Sequence, residues 1–238
     1  SLSAKEIAYR LALPAGTVLS LVGFAAIANS NGSVPLITHL GNELSQYLAV
    51  FRPDAAITTT SRTVYLLLPG GESESVMRLI NGALSAIQLA FKDQIRAAIS
   101  HSSTQPADLP SMRREVDDIL RVTTVNPDFP SVAKLADVHA RVLLDHVADE
   151  LIREPMLKHP GIQAMLAYDL ENKTNYADSV VAWLDAVGDI ALAAGSLFIH
   201  ANTLRYRLRR VKDLFNITLD NPDDRLAVWM QLRLVLPS

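Results

Sequence analysis

Apolar positions change their spacing along this chain, and the change separates two halves with different predicted structures. In the N-terminal half, short β-prone runs alternate with segments whose apolar residues recur every three to four positions, which is the spacing of one helix face. After a short helix over residues 3–13, the pattern predicts the order β, α, β, β, α, β, α. The predicted strands cover residues 17–28, 55–60, 63–68 and 94–100, and the helices cover the segment from Leu36 to Leu48, then residues 72–91 and 109–122.

This order of elements is that of a ferredoxin-like split βαβ domain, in which helices cover an antiparallel sheet. Residues 126–130 contain two prolines in five positions and are the predicted linker. After the linker every apolar segment has helical spacing, so the tail from Ser131 is predicted to be all-α. The predicted fold class is therefore α+β, with an α/β domain at residues 1–126 and a helical domain at residues 131–238.

A helix-turn-helix is predicted over residues 189–210, within the helical half. A short Ala-rich helix ends near Gly195 and Ser196, and a second helix begins after His200. Four apolar residues of the second helix recur at i, i+4, i+7 and i+11, and so form one stripe that docks the helix: Leu204, Leu208, Val211 and Phe215. The residues expected to point away from the domain are Asn202, Thr203, Tyr206, Arg207 and Arg210, with Arg205 and Arg209 beside the stripe.

Positive charge is concentrated on this second helix. Residues 200–215 hold five Lys and Arg residues and one Asp, whereas the rest of the chain holds 17 Lys and Arg residues against 24 Asp and Glu residues. A run of charges is usually a solvated helix face, but a single basic patch on an acidic protein favours an anionic partner. Since the second helix of a helix-turn-helix enters the major groove, double-stranded DNA is the expected partner. The predicted base and phosphate contacts are His200, Asn202, Thr203, Arg205, Tyr206, Arg207, Arg209 and Arg210.

The residues of this region also resemble those of a known family. The run HANTLRYRLRR at residues 200–210 and the run LDNPDDRL at residues 219–226 are similar to the C-terminal helix-turn-helix of the PucR/CdaR family of bacterial transcription regulators. The resemblance implies a cytoplasmic, sequence-specific DNA-binding regulator that is not an enzyme. It also implies that residues 1–126 form a degenerate GGDEF-like regulatory or dimerisation domain, and that a small-molecule effector or an upstream sensory domain controls the protein.

The composition excludes several kinds of site. The chain has no cysteine, which excludes disulfides and thiolate metal sites and is compatible with a reducing cytoplasm. No two of the six histidines lie three or four residues apart, as two ligands on one helix face would, so neither a metal nor a cofactor is predicted. The most apolar stretch, residues 18–28, is too short to span a bilayer, and no membrane partner is expected. The first residue is not Met, and we expect a fragment that lacks an upstream domain.

Two alternative functions are weighed against DNA binding. Gly70, Gly71 and Glu72 resemble the start of the GGDEF signature of diguanylate cyclases, which would make the N-terminal half a nucleotide-processing enzyme. In such cyclases the glycines lie at a hairpin tip where acids hold a metal. Here they follow the predicted strand at 63–68, and the predicted hairpin tip at Ser61 and Arg62 has no acid pair, so a strand-to-helix loop is predicted. The second alternative is a metabolite- or protein-binding module whose helix-turn-helix tail serves only oligomerisation.

The last helix, predicted over residues 222–236, is apolar on nearly all sides. Asp220 or Asn221 is expected to cap it. One apolar face is formed by Leu226, Trp229, Leu232, Val235 and Leu236, and further apolar positions are Val228, Met230 and Leu234. Because a helix that is apolar on every side must be buried on every side, part of this helix is predicted to form a homodimer interface.

Overall fold

The structure is a computed structural model that describes residues 14, 16–27, 34–70, 73–91, 95–126 and 128–236. It divides into two compact units, residues 1–142 and residues 143–238. The strands are β1 (Leu19–Ala26), β2 (Ala56–Thr59), β3 (Thr63–Pro69), β4 (Ile95–Ser103) and β5 (Val132–Lys134). The helices are α1 (Val34–Phe51), α2 (Ser73–Phe91), α3 (Leu109–Thr123), α4 (Leu135–Arg153), α5 (Pro160–Asn172), α6 (Tyr176–Asp185), α7 (Ile190–Ser196), α8 (Ala201–Phe215) and α9 (Pro222–Val235).

The order of elements predicted for the N-terminal half is confirmed from β1 to α3, whereas the helix predicted over residues 3–13 lies outside the described residues. None of the described helices is long and apolar enough to cross a membrane.

The first unit is built on a five-stranded sheet with the order β2-β3-β1-β4-β5. β1 is antiparallel to both of its neighbours, β3 and β4, and β2 is antiparallel to β3. Each of the connections β1–α1–β2 and β3–α2–β4 therefore joins two parallel strands that have one other strand between them. This is the split βαβ connectivity predicted from the sequence.

Side chains of β1 alternate between two apolar cores, one on each face of the sheet. Val22 and Phe24 pack in the core that contains buried residues of α1 and α2, whereas Leu19 and Leu21 pack in the core that contains buried residues of α3. Because both faces of this strand are covered, its sequence is a nearly continuous apolar run rather than an alternating one. The interpretation of residues 17–28 as a buried central strand is confirmed for Leu19–Ala26.

The prediction that the whole tail from Ser131 is helical is wrong for residues 132–134. These residues form β5, which pairs in parallel with β4 through Val132 opposite Ala97 and Lys134 opposite Ile99. Three residues are too few to display a two-residue period, and pairing with a strand distant in sequence fixes their conformation instead. The first compact unit continues through the first half of α4, where Val138 and Val142 are buried, beyond the linker predicted at residues 126–130.

The described part of the second unit contains only helices and their connections. Its main core collects residues of α5, α6, α8 and α9, of which Met165, Val180, Val211 and Leu232 are fully buried. The start of α5 lies against the end of α8, because a Cβ atom added to Gly161 would lie only 2.1 Å from the carbonyl oxygen of Phe215. This backbone-to-backbone contact requires glycine at position 161.

Candidate nucleic-acid interface

A helix-turn-helix is formed by α7, a four-residue turn and α8. The Asp189 side chain caps α7 by accepting hydrogen bonds from the backbone N–H groups of Ala191 and Leu192, at 2.8 and 3.0 Å. The turn closes through the backbone N–H of Phe198, which donates to the carbonyl of Gly195 at 3.1 Å. The break near Gly195 and the second helix after His200, both predicted from the sequence, are confirmed.

The apolar stripe of α8 docks this helix on the rest of the unit. Leu204 and Val211 are fully buried and Phe215 is 8% exposed, while Leu208 is half-buried between two core clusters. Leu204 packs in a small cluster with Ala193 and Ala194 of α7, whose short side chains allow the two helices to lie close together. The predicted stripe is therefore confirmed, and it determines which residues of α8 face solvent.

The opposite side of α8 presents polar and basic side chains to solvent. Asn202, Thr203, Arg205, Tyr206 and Arg209 are exposed. His200, the residue that immediately precedes the helix, is also exposed. An Arg205 Nη atom donates a 2.9 Å hydrogen bond to Oδ1 of Asn202, which holds the two side chains together on the first turns of the helix. An amide beside a guanidinium is a pair of groups that can bind the major-groove edges of adenine and guanine.

Arg207 and Arg210 do not point away from the domain, contrary to the sequence prediction. Both are half-buried, and Arg207 donates a 3.2 Å hydrogen bond through Nη1 to Oγ of Ser179, a fully buried residue of α6. The prediction was wrong because Arg207 lies three residues after Leu204 and four residues before Val211, and such positions share a helix face. The Nε atom of Arg210 is likewise buried. Arg207 therefore helps to hold α8 in position.

The basic side chains of α8 differ in whether an acidic side chain neutralises them. Lys212 forms a 2.7 Å ion pair with Asp220, and the hydrogen bond to this carboxylate raises the pKa of Lys212. Within the described part of the chain, the Arg209 side chain forms no hydrogen bond or ion pair, and Arg205 bonds only the neutral amide of Asn202. Since Arg205 and Arg209 are four residues apart, they lie on neighbouring turns of one face. Arg205 and Arg209 therefore place uncompensated positive charge on the exposed side of α8.

Two aspartates that the sequence did not single out fix the helices around α8. The Asp169 carboxylate, at the end of α5, accepts hydrogen bonds from the backbone N–H groups of Tyr176 and Ala177, at 3.0 and 2.8 Å. The Asp185 carboxylate, at the end of α6, accepts a hydrogen bond from Nε1 of Trp229 at 2.7 Å and forms an ion pair with Arg233 at 3.2 Å. Both aspartates pair with residues more than six positions away, so no local sequence signal indicates their role.

Gly70 lies where a strand-to-helix loop was predicted. β3 ends at Pro69, Gly70 follows with a φ of +66°, and α2 begins at Ser73, while Gly71 and Glu72 lie outside the described residues. The hairpin tip between β2 and β3 is at Ser61 and Arg62, as predicted. Among the residues that the structure describes, no group of three or more His, Asp or Glu residues is arranged to hold a metal ion.

Comparison with known proteins gives a family match over the same helices and two relatives that align with part of the chain. Residues 176–234 match the family described as the PucR C-terminal helix-turn-helix domain. A DNA-binding transcriptional activator, AdeR of Bacillus subtilis (strain 168), is 28% identical over 67 residues, which are 28% of this chain and 16% of that protein. The carbohydrate diacid regulator of Escherichia coli (strain K12) is 35% identical over 65 residues, which are 27% of this chain and 17% of that protein.

A solved structure, the regulator of polyketide synthase expression from Bifidobacterium adolescentis, aligns with 95% of this chain and 83% of its own, at 17% identity and a TM-score of 0.37. So low a TM-score supports no conclusion about the fold. The family match, in contrast, begins at α6 and ends within α9, and so contains the whole helix-turn-helix. The family predicted from the sequence is thus confirmed through this domain: residues 176–234 belong to the PucR C-terminal helix-turn-helix family.

Proposed function

We propose that the chain is a DNA-binding transcriptional regulator and that α8 is the helix that enters the major groove. The main support for the proposal is that one side of α8 is apolar and packs in the core, whereas the other side is polar and exposed. Its apolar stripe is buried, while Asn202, Thr203, Arg205, Tyr206 and Arg209 are all exposed on the other side. Two curated relatives are named as a DNA-binding transcriptional activator and as a carbohydrate diacid regulator, and these names support the same function.

The exposed residues of α8 have different proposed roles. Asn202 and Arg205 lie near the N-terminal end of the helix, where a recognition helix contacts base edges, and their side chains suit adenine and guanine. Arg209 lies one turn further on and has no partner within the described residues, so it suits a phosphate contact. The half-buried Arg207 and Arg210 position α8 and add to its positive potential, and His200, Thr203 and Tyr206 complete the contact surface.

A homodimer that presents two copies of α8 to paired half-sites is also part of the proposal. Val228 and Leu232 of α9 are buried within the unit, whereas Leu226 and Val235 are 53% and 50% exposed. Val235 lines a groove of about 200 Å³ together with Leu151 and Ile152 of α4. Because Ile152 is itself 69% exposed, an apolar surface joins the two helices, and we place the interface there. Replacing Ile152 and Val235 by Glu should convert a dimer into a monomer in light scattering.

The first unit is proposed to be a degenerate GGDEF-like regulatory domain of a cytoplasmic, non-enzymatic protein. Its sheet order supports the architecture, and a cavity of about 800 Å³ supports a response to a small-molecule effector. The cavity is lined by Tyr65, whose hydroxyl donates to the Asp117 carboxylate, and by Arg113, whose guanidinium lies 4.9 Å from the centre of the Tyr65 ring. Cavities of this size accommodate metabolites. Control through an upstream sensory domain is the other form of regulation that we propose.

The proposed function is tested by selecting duplexes from a random-sequence DNA library with the purified chain. We expect enrichment of one sequence motif, with an affinity that falls steeply as salt increases. Arg205→Ala should weaken binding to the enriched duplex by about 1–3 kcal/mol and relax the preference at one base pair. A chain that enriches no motif and binds all duplexes equally weakly would favour the alternative, in which the helix-turn-helix serves only assembly.

A further inference from the structure

Phe198, in the turn between α7 and α8, combines two features that are each unfavourable in the isolated protein. Its side chain is 96% exposed, so a large apolar ring lies in water. Its backbone has a φ of +54°, a left-handed conformation that is costly for residues with a Cβ atom and that glycine adopts freely. Within the described residues the ring has no aromatic or core contact that would offset these costs. Strained residues of this kind cluster at binding and active sites.

The position of Phe198 indicates which partner its ring meets. The residue lies four positions before Asn202, so their Cα atoms are at most about 14 Å apart. His200, Asn202 and Thr203 are exposed immediately after it, and the uncompensated charges of Arg205 and Arg209 lie on the exposed side of the helix that follows. An apolar ring next to a polar, positively charged surface fits DNA better than it fits a second apolar protein surface.

We propose that Phe198 is a further DNA-contacting residue, whose ring packs against the C5-methyl group of a thymine in the major groove. Phenylalanine is one of the side chains that make this apolar contact with thymine. The inference rests on the proposed function of α8 and adds to it a base preference that no hydrogen bond supplies. It also gives a reason for phenylalanine in a turn whose backbone conformation favours glycine.

The matched control is Val187, in the turn that precedes α7. It has nearly the same backbone conformation, with a φ of +53°, and it is 93% exposed. Its surroundings differ, since it lines a cavity of about 250 Å³ with Trp183 and Trp229 and is separated from Phe198 by the whole of α7, a helix about 10 Å long. Val187→Gly therefore also relieves a left-handed backbone conformation and removes an exposed apolar side chain, but it does so away from the proposed DNA contact.

The experiment measures the affinity of Phe198→Gly and Val187→Gly for a duplex enriched from a random library by the wild-type chain. For Phe198→Gly we expect a five- to tenfold loss of affinity, which is about the contribution of burying part of a phenylalanine side chain. The slope of log affinity against log salt should not change, because no charge is removed. The melting temperature should not fall, because the exposed ring makes no contact in the free protein. Val187→Gly should bind as tightly as the wild type.

A second arm replaces each thymine of the enriched duplex, one at a time, by deoxyuridine, which lacks only the methyl group. At one position the wild-type affinity should fall about fourfold, as expected for one buried methyl group, and Phe198→Gly should lose nothing further there. Wild-type affinity in Phe198→Gly, an equal loss in Val187→Gly, or identical deoxyuridine penalties in both proteins would overturn the inference. If the wild-type chain enriches no duplex, the proposed function itself fails, and this inference fails with it.

Discussion

Alanine at position 161 tests whether the contact between α5 and α8 sets the position of the proposed DNA-reading helix. A Cβ atom there would lie 2.1 Å from the carbonyl oxygen of Phe215 and 3.0 Å from a side-chain carbon of Ile217. Real Cβ contacts are essentially never shorter than 3.0 Å, so the first of these contacts requires a movement of about 1 Å. The oxygen belongs to the last residue of α8, and it cannot move unless the end of that helix moves with it.

The cost of Gly161→Ala follows from two opposing effects. Overpacking a close contact costs about 1–3 kcal/mol. Because this clash is with backbone, which a change of rotamer cannot relieve, we take the upper part of that range, about 2–3 kcal/mol. Alanine is favoured over glycine in a helix by about 1 kcal/mol or less. We therefore expect a net loss of about 1–2 kcal/mol in the free energy of unfolding, which lowers the melting temperature of a domain of this size by about 4–16 °C.

The measurement is a thermal melt followed by tryptophan fluorescence. The two tryptophans of the chain, Trp183 and Trp229, both lie in the second unit, so the signal reports the unfolding of that unit alone. Gly195→Ala is the matched control, because a Cβ atom at Gly195 in α7 would have no atom within 4 Å. This substitution should raise the melting temperature by a few degrees. If Gly161→Ala melts at or above the wild-type temperature, the close contact between α5 and α8 is refuted.

Four further substitutions test the burial and the contacts of individual side chains. Leu204→Ala should lower the free energy of unfolding by about 2–5 kcal/mol, because it leaves a cavity where a fully buried side chain was; an unchanged denaturant midpoint would show that Leu204 is not buried. Arg207→Ala should cost about 1 kcal/mol of stability through its lost hydrogen bond to Ser179. Arg209→Ala should leave the melting temperature unchanged but reduce the slope of log DNA affinity against log salt concentration by about one. Equal melting temperatures of Arg207→Ala and Arg209→Ala would contradict the roles assigned to these two arginines. Burial, and next the hydrogen bond to Asp117, raise the pKa of Tyr65 above 10.0. The stability contributed by the protonated phenol is therefore complete below pH 10 and is lost as pH rises through the folded-state pKa. The difference in ultraviolet absorbance between wild type and Tyr65→Phe measures this ionisation, and a midpoint at or below 10.0 would disprove it.

Elements with a repeated local pattern could be predicted from the sequence. The stripe of α8 spans twelve residues, from Leu204 to Phe215, and β1 is an apolar run of the right length for a buried strand, so both could be predicted. β5 was missed because three residues carry no period and depend on pairing with β4. The pairing of the strands, and therefore the sheet order, could be predicted from the order of the elements through the connectivity rule for split βαβ units. No local sequence pattern within a strand indicates its partner.

The candidate site could be predicted in outline but not in the direction of each side chain. The helix, its basic residues and its first turn follow from the sequence, whereas the partial burial of Arg207 depends on α6 packing beside α8. Gly161 and Phe198 have no local signal, since one is defined by a distant carbonyl oxygen and the other by its backbone conformation. Residues whose importance comes from tertiary packing or from strain cannot be recognised by spacing alone.

The most direct test of the central claim is to map where α8 lies on DNA. Because the chain contains no cysteine, Thr203→Cys places a single thiol on the exposed face of α8, where an iron-chelate reagent that cleaves nearby DNA can be attached. Asp223→Cys, at the exposed start of α9, carries the same reagent as a control. On a duplex enriched by the wild-type chain, we expect cleavage centred in the major groove of each half-site from position 203 and weaker, displaced cleavage from position 223. Strong cleavage from position 223 with none from position 203 would contradict the assignment of α8 as the DNA-reading helix.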